Sequence, residues 1–157
     1  MSLVTADAAL FAQQLPPRGR LLALDIGTKT IGLATASEDR RFATARDTLK
    51  RGKSAADMAA LADLCRREAI VGVVVGLPLN MDGSDSERTQ SVRAQSRNLL
   101  KALNLPVLLW DERWSTAAVE RAMIAQDVSR AKRAERVDAL AAAHILEGAL
   151  ARLERLP

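Results

Sequence analysis

Residues 70 to 76 read Ile-Val-Gly-Val-Val-Val-Gly, seven positions in a row without a polar side chain. A strand with one wet face alternates apolar and polar residues, and this run does not alternate. It must be covered on both sides, as strands are when helices pack against both faces of an α/β sheet. Two shorter runs have the same character, Leu21-Leu22-Ala23-Leu24 and Pro106-Val107-Leu108-Leu109-Trp110. Between and around them lie segments with helical spacing of apolar residues, at about 54 to 69, 86 to 103, 116 to 126 and 132 to 153. Ser54 is the N-cap expected for the first of these and Ser84 for the second. Ile31 to Ala36 and Phe42 to Thr48 follow the first run after turns too short for a crossover, which implies an antiparallel meander. The order is a three-strand meander followed by alternating helices and strands. The expected fold is therefore α/β, a five-stranded mixed sheet with helices on both faces.

Residues 1–19 close on Leu15-Pro16-Pro17-Arg18-Gly19 and have no sustained periodicity, so they are expected to be a flexible tail or short helix. Residues 20–157 are expected to form a single domain. At 157 residues and 48% hydrophobic, the chain can bury one sizeable core. It contains no apolar run of membrane-spanning length and only one cysteine, Cys65, at an apolar helical position. That excludes an internal disulfide and a cysteine-rich zinc site, and suits a soluble, cytoplasmic protein with no membrane partner.

The net charge is +4 and the pI about 9.8, which favours a polyanionic partner. Aromatic residues make up only 3% of the chain and tyrosine is absent, so single-stranded bases would find few stacking platforms. Nucleic acid, if bound, should be held by its backbone charge and shape.

In an open α/β sheet, sites lie beyond the carboxyl ends of the parallel strands. Asp25 ends the first apolar run, in Leu-Asp-Ile-Gly-Thr-Lys, and Asp111 and Glu112 end the last, in Trp-Asp-Glu-Arg-Trp-Ser-Thr. Asp138 lies in the final helix, with Ala141, Ala142 and Ile145 at helical spacing from it. Each acid taken singly has an ordinary explanation. Asp25 could cap a turn, Glu112 could pair with Arg113 or Arg136, and Asp138 with Arg133 or Lys132. Taken together, three acids at element ends on one side of a sheet repel one another unless a cation compensates. Oxygen-only ligands suit Mg²⁺ or Mn²⁺, which activate water and stabilise a leaving oxygen in phosphodiester hydrolysis. Asp25, Glu112 and Asp138 are the catalytic and metal-binding candidates, with Asp111 as a further metal ligand.

The candidate substrate contacts are cationic or lie at loop starts. Arg113 stands beside the acids, while Arg130, Lys132, Arg133 and Arg136 form a basic run just before Asp138. Asn80 lies in the loop Leu77-Pro78-Leu79-Asn80-Met81-Asp82-Gly83, whose backbone leads into a helix start suited to phosphate. His144, the only histidine, is expected to be a core or surface residue and not a ligand.

The segments D-I-G-T-K-T-I-G-L-A, V-V-V-G-L-P-L-N-M-D-G-S, D-E-R-W-S-T and V-D-A-L-A-A-A-H-I-L, in this order, resemble the YqgF (RuvX) family from about Leu21 to Leu150. The resemblance implies a ribonuclease H-like fold and a metal-dependent nuclease acting on structured nucleic acid. Family members are described as nucleases in 5′-end maturation of the small-subunit ribosomal RNA precursor, and as Holliday junction resolvases acting on branched DNA. It carries the family's acids onto Asp25, Glu112 with Asp111 beside it, and Asp138. Lys29 stands where the family often has Arg, so a phosphate contact there would be a point charge without the guanidinium fork.

Two other readings exist. D-x-G-T also resembles the first phosphate loop of the actin-like ATPases, but that reading needs a second, similar domain that 157 residues do not hold. A non-catalytic nucleic-acid-binding module would not need the acids. The chain is expected to be a monomer or a homodimer, the latter being what a two-fold junction would call for.

Overall fold

The structure, a computed structural model, describes residues 3–113 and 130–157, and of residues 130–139 the backbone only. The elements in chain order are β1 (Val4–Thr5), α1 (Ala8–Gln13), β2 (Arg20–Ile26), β3 (Thr30–Ala36), β4 (Ala43–Lys50), α2 (Ser54–Arg67), β5 (Ile70–Leu77), α3 (Glu87–Leu103), β6 (Val107–Asp111) and α4 (Arg130–Glu154). The helix expected at 116–126 lies outside the described residues.

The strands form one mixed sheet in the order β1-β6-β5-β2-β3-β4. β1, β6, β5 and β2 run parallel, while β2, β3 and β4 are the antiparallel meander. The sheet has six strands where the sequence suggested five, because Val4 and Thr5 pair with Val107 and Leu108. Two residues are too few to show a period, so no pattern marks this strand. The short helix that follows is capped by Asp7, whose carboxylate accepts from the Ala9 and Leu10 amides. Residues 3–19 thus contribute an edge strand and a short helix.

Both faces of the sheet are covered. β5 is buried from Val73 to Leu77, which explains its lack of alternation. Leu22, Leu24, Val73, Val75, Val107 and Leu109 face α2 and α3, in one cluster with Leu61, Cys65, Val92 and Leu99. On the opposite face Leu21, Ala23, Val74 and Leu108 pack with Ala142, Ile145, Leu146 and Ala149 of α4 and Phe11 of α1. Gly72 makes room for α1, since a Cβ there would stand 2.7 Å from Leu15 Cδ2 and 3.0 Å from Phe11 Cζ.

Two caps differ from expectation. Ser54 is the first residue of α2 and not its cap, and the Gly52 amide just before the helix instead bonds the buried Asp57 carboxylate at 3.1 Å. α3 is capped by Ser86, in a reciprocal capping box with Thr89, whereas Ser84 donates to Asp82 inside the preceding loop. The sequence pointed to Ser84, and Ser86 caps in its place because it stands three residues before Thr89, where two amides are satisfied at once.

Glu68, just past α2, ties that helix to the meander. Its carboxylate accepts from Arg46 Nη1 and Nη2 at 2.6 and 2.8 Å and from Arg20 Nη1 at 3.4 Å. The Arg46 hydrogen bonds hold its carboxyl below the ordinary carboxylate range, aided by the charges of Arg46, Arg20 and Arg67. A carboxyl lowered by folding contributes stability at neutral pH and loses it as pH falls through its native value. Glu68→Gln is therefore expected to cost below about 1 kcal/mol at pH 7. It should also flatten the loss of stability on acidification below about pH 4.5, as followed by urea denaturation across pH. Phe11 is fully buried, and Phe11→Ala is expected to cost about 3 kcal/mol or more in the same assay at pH 7; a loss near zero would show α1 to be undocked.

Candidate active site

β2, β5 and β6 are neighbours and parallel, so their carboxyl ends open on the same side. Side chains alternate along each strand. Leu21 and Ala23, Val74, and Leu108 face α4, so Asp25, Gly76 and Glu112, an even number of residues further along, fall on that face too. Asp25 and Glu112 belong to chain segments on either side of β5, a separation of about 10 Å between strand axes. Gly76 lies between them. A Cβ at Gly76 would come within 2.5 Å of Glu112 Oε2, and closer still to Ile145 Cδ1 of α4. The carboxyl of Glu112 occupies the space this missing side chain leaves.

Both acids are 8% exposed. The Glu112 carboxyl is pushed up, to about 8, first by burial and next by the charge of Asp25; Arg88 opposes the shift, and a hydrogen bond with Asp25 adds to it. Two carboxyl groups in hydrogen-bond contact must share a proton or a cation. Glu112 Oε2 is buried and accepts no hydrogen bond, and a buried oxygen of this kind costs about 1 to 3 kcal/mol, or more when charged. A hard divalent cation fits: both donors are carboxylate oxygens, and one of them is buried and unsatisfied.

Asp111 behaves differently from its neighbour. It faces away from the pair and is held by Arg113, whose Nη2 and Nε donate to it at 2.6 and 2.9 Å. These bonds keep the Asp111 carboxyl below its ordinary range. Arg113 therefore pairs with Asp111 and not with Glu112, and its Nη1 reaches over to the Met81 carbonyl at 3.0 Å. The 80–84 loop is tightly bonded within itself. Asn80 Nδ2 donates to Ser84 Oγ at 3.0 Å, and the Ser84 amide to Asp82 at 2.9 Å.

Lys29 is exposed on the turn after β2. α4 begins at Arg130, and the buried Ala141, Ala142 and Ile145 lie three, four and seven residues beyond position 138. The side chains of Asp138, Arg130, Lys132, Arg133 and Arg136 lie outside the described residues. His144 is exposed, 3.6 Å from Glu147 and away from the acids. Sequence reasoning missed Gly76 and Arg88. The signal for Gly76 was present, since it falls on the same strand face as the acids.

A family model described as "RuvX: Holliday junction resolvase" matches residues 19–152. The chain belongs to the RuvX family. A relative from Sphingopyxis alaskensis is 61% identical over 153 residues, covering 98% of this chain and all of that one, and carries the name "Putative pre-16S rRNA nuclease". Another of that name, from Novosphingobium aromaticivorans, is 54% identical over 148 residues, 94% and 95% of the two chains. Among solved structures, T. thermophilus RuvC in complex with a Holliday junction substrate superposes with a TM-score of 0.56 at 16% identity, covering 87% of this chain and 97% of that one. This RuvX chain thus has the ribonuclease H-like fold of RuvC.

In this RuvX protein Gly76→Ala is expected to destabilise by about 1 to 3 kcal/mol, since it drives a methyl into a filled space. Adding Ile145→Val removes the Cδ1 contact and should recover part of that loss, while the clash with Glu112 stays. Guanidinium denaturation of the single and double variants measures both steps, and full recovery in the double variant would show that Glu112 does not fill the space.

Proposed function

We propose that this chain is a divalent-metal-dependent nuclease that hydrolyses phosphodiester bonds in structured nucleic acid, and that its substrate is the 5′ end of pre-16S ribosomal RNA. The observation that carries the reading is the Glu112 carboxyl, which meets Asp25 and keeps its buried Oε2 without a hydrogen-bond partner. Asp25, Glu112 and Asp138 would hold the cation. When bound, Mg²⁺ or Mn²⁺ supplies Lewis acidity, which activates water and offsets charge on the oxygen that leaves phosphorus.

The chain's own residues have separate tasks. Asp25 and Glu112 would lose their shared proton to solvent as the cation binds and present fixed oxygens from a buried floor, so little reorganisation accompanies the reaction. Arg113, kept in place by Asp111 and the Met81 carbonyl, stands at the exposed rim to meet a non-bridging phosphate oxygen. Asp111 then serves to aim Arg113 and not as a metal ligand. Lys29, Asn80 and the run Arg130, Lys132, Arg133 and Arg136 would line the approach of the nucleic-acid backbone. A cytoplasmic setting belongs to the same reading, and among the described residues no helix is long and apolar enough to cross a membrane.

The relatives' name favours the ribosomal RNA precursor. A second reading, cleavage of four-way DNA junctions, is favoured by the family's description. Symmetric cutting of a junction would require two copies of this site in a homodimer.

The test is cleavage of end-labelled pre-16S RNA and of a four-way DNA junction, with Mg²⁺ or Mn²⁺ and with EDTA. Cutting of the RNA is expected to need the metal. Asp25→Asn is expected to reduce it by roughly a hundredfold or more, equivalent to about 3 kcal/mol of transition-state stabilisation. Cutting that survives EDTA or the Asp25 change would overturn the site, and cutting of the junction alone would move the assignment to DNA.

A further inference from the structure

Two arginines from separate elements converge on the turn that follows Asp25. Arg88, in the first turn of α3, donates from Nη2 to the Ile26 carbonyl at 3.2 Å. Arg51, just past β4, donates from Nη1 to the Gly27 carbonyl at 2.7 Å. The turn does not need them to close. The Gly27 amide bonds the Thr30 carbonyl at 2.8 Å, and the Arg51 backbone amide bonds the Lys29 carbonyl at 2.8 Å. Ordering an arginine side chain costs up to about 2 kcal/mol of rotamer freedom, and one charged donor bond returns a comparable amount. As braces the two guanidinium groups gain little stability.

Their charge distinguishes them from the arginines held in ion pairs; Arg40 also donates to carbonyls, those of Gly19 and Pro16, away from the turn after Asp25. Arg46, Arg67 and Arg93 each donate to a carboxylate, which neutralises them. The hydrogen bonds of Arg51 and Arg88 go to neutral carbonyls, and a guanidinium has five N–H groups, of which such a bond engages one. Arg88 is exposed and Arg51 half-buried, with exposed Lys50 and Lys53 beside Arg51 in the chain and exposed Lys29 on the turn itself. The acids nearby in sequence are Asp47, exposed on β4, Asp57, turned inward onto the Gly52 amide, Asp85, paired with Arg93, and Glu87, exposed at the start of α3. Arg88 is also close enough to the acid pair for its charge to act on Glu112.

We infer that Arg51 and Arg88 form a pre-oriented phosphate clamp for the nucleic-acid backbone, on the β4–α2 side of the acid pair and across it from Arg113. The inference rests on the nuclease reading for its substrate class and adds to it a direction. The backbone enters over the turn after Asp25, with one phosphate on each guanidinium. Fixed forks on successive carbonyls suit bidentate contacts to phosphate oxygens, for which a lysine is a poorer match.

The test is the salt dependence of binding, measured by fluorescence anisotropy with a labelled four-way DNA junction and a labelled RNA spanning the 5′ end of the 16S precursor. All proteins carry Asp25→Asn, so no substrate is consumed. In Arg51→Gln/Arg88→Gln, where glutamine can still donate to the carbonyls, the slope of log affinity against log salt is expected to fall by about 1.5, at 0.7 to 0.9 per lost phosphate contact. The melting temperature should stay that of the parent. Arg88→Lys should keep the slope, and Arg66→Gln, on the exposed side of α2, should leave it unchanged. An unaltered slope in the double variant, an equal fall in Arg66→Gln, or no binding of either probe overturns the inference. Separate cleavage assays on the protein with Asp25 intact keep the two readings apart. Cleavage with an unaltered slope sinks the clamp alone, and a reduced slope with no cleavage of either substrate sinks the nuclease reading alone.

Discussion

A single missing side chain in the middle of the sheet governs the rest of this structure. Asp25 and Glu112 lie on opposite sides of β5 and could not touch across a strand that carried a Cβ at position 76. A methyl there would stand within 2.5 Å of Glu112 Oε2. With glycine in that place, the two carboxyl groups meet in a buried space where charge is costly. The pair is stable only with a proton between its members or a cation upon them, and this either-or state is the source of the proposed chemistry.

The sheet separates stability from function by face. The side toward α2 and α3 is a continuous apolar cluster from Leu22 to Leu109. The side toward α4 uses smaller residues, Ala23, Ala34, Ala142 and Ala149, which bring that helix close to the strands. Both acids lie on this closer side at the open ends of the strands, and position 138 precedes the buried part of α4 by less than one turn. The cations surround this opening. Arg113 is aimed by Asp111, while Arg51 and Arg88 are tied to carbonyls.

Much of this was legible from residues alone. The unbroken apolar run at 70–76 required a doubly covered strand, and the short turns after Leu24 and Ala36 required antiparallel neighbours. Asp25 and Glu112 were legible because an acid after an apolar strand has few inexpensive fates. Less legible were features that depend on reciprocal contacts. Ser84 was the expected cap of α3, and Ser86 takes that place through its reciprocal bonds with Thr89. Asp111 and Glu112 are adjacent and chemically alike, and strand alternation sends one to Arg113 and the other to the acid pair. Val4 and Thr5 form a strand only because the edge of β6 is free to receive them.

The sequence by itself determined the order of elements, the α/β class, the positions of the acids at strand ends and the excess of basic residues, since all of these follow from local periodicity and composition. Only the tertiary structure decided which acids meet, since that depends on strand order. β5 lies between β2 and β6, so a glycine 51 residues from Asp25 and 36 from Glu112 sets the distance between them. No local pattern carries that information, because the contact exists only once three strands far apart in sequence are laid side by side.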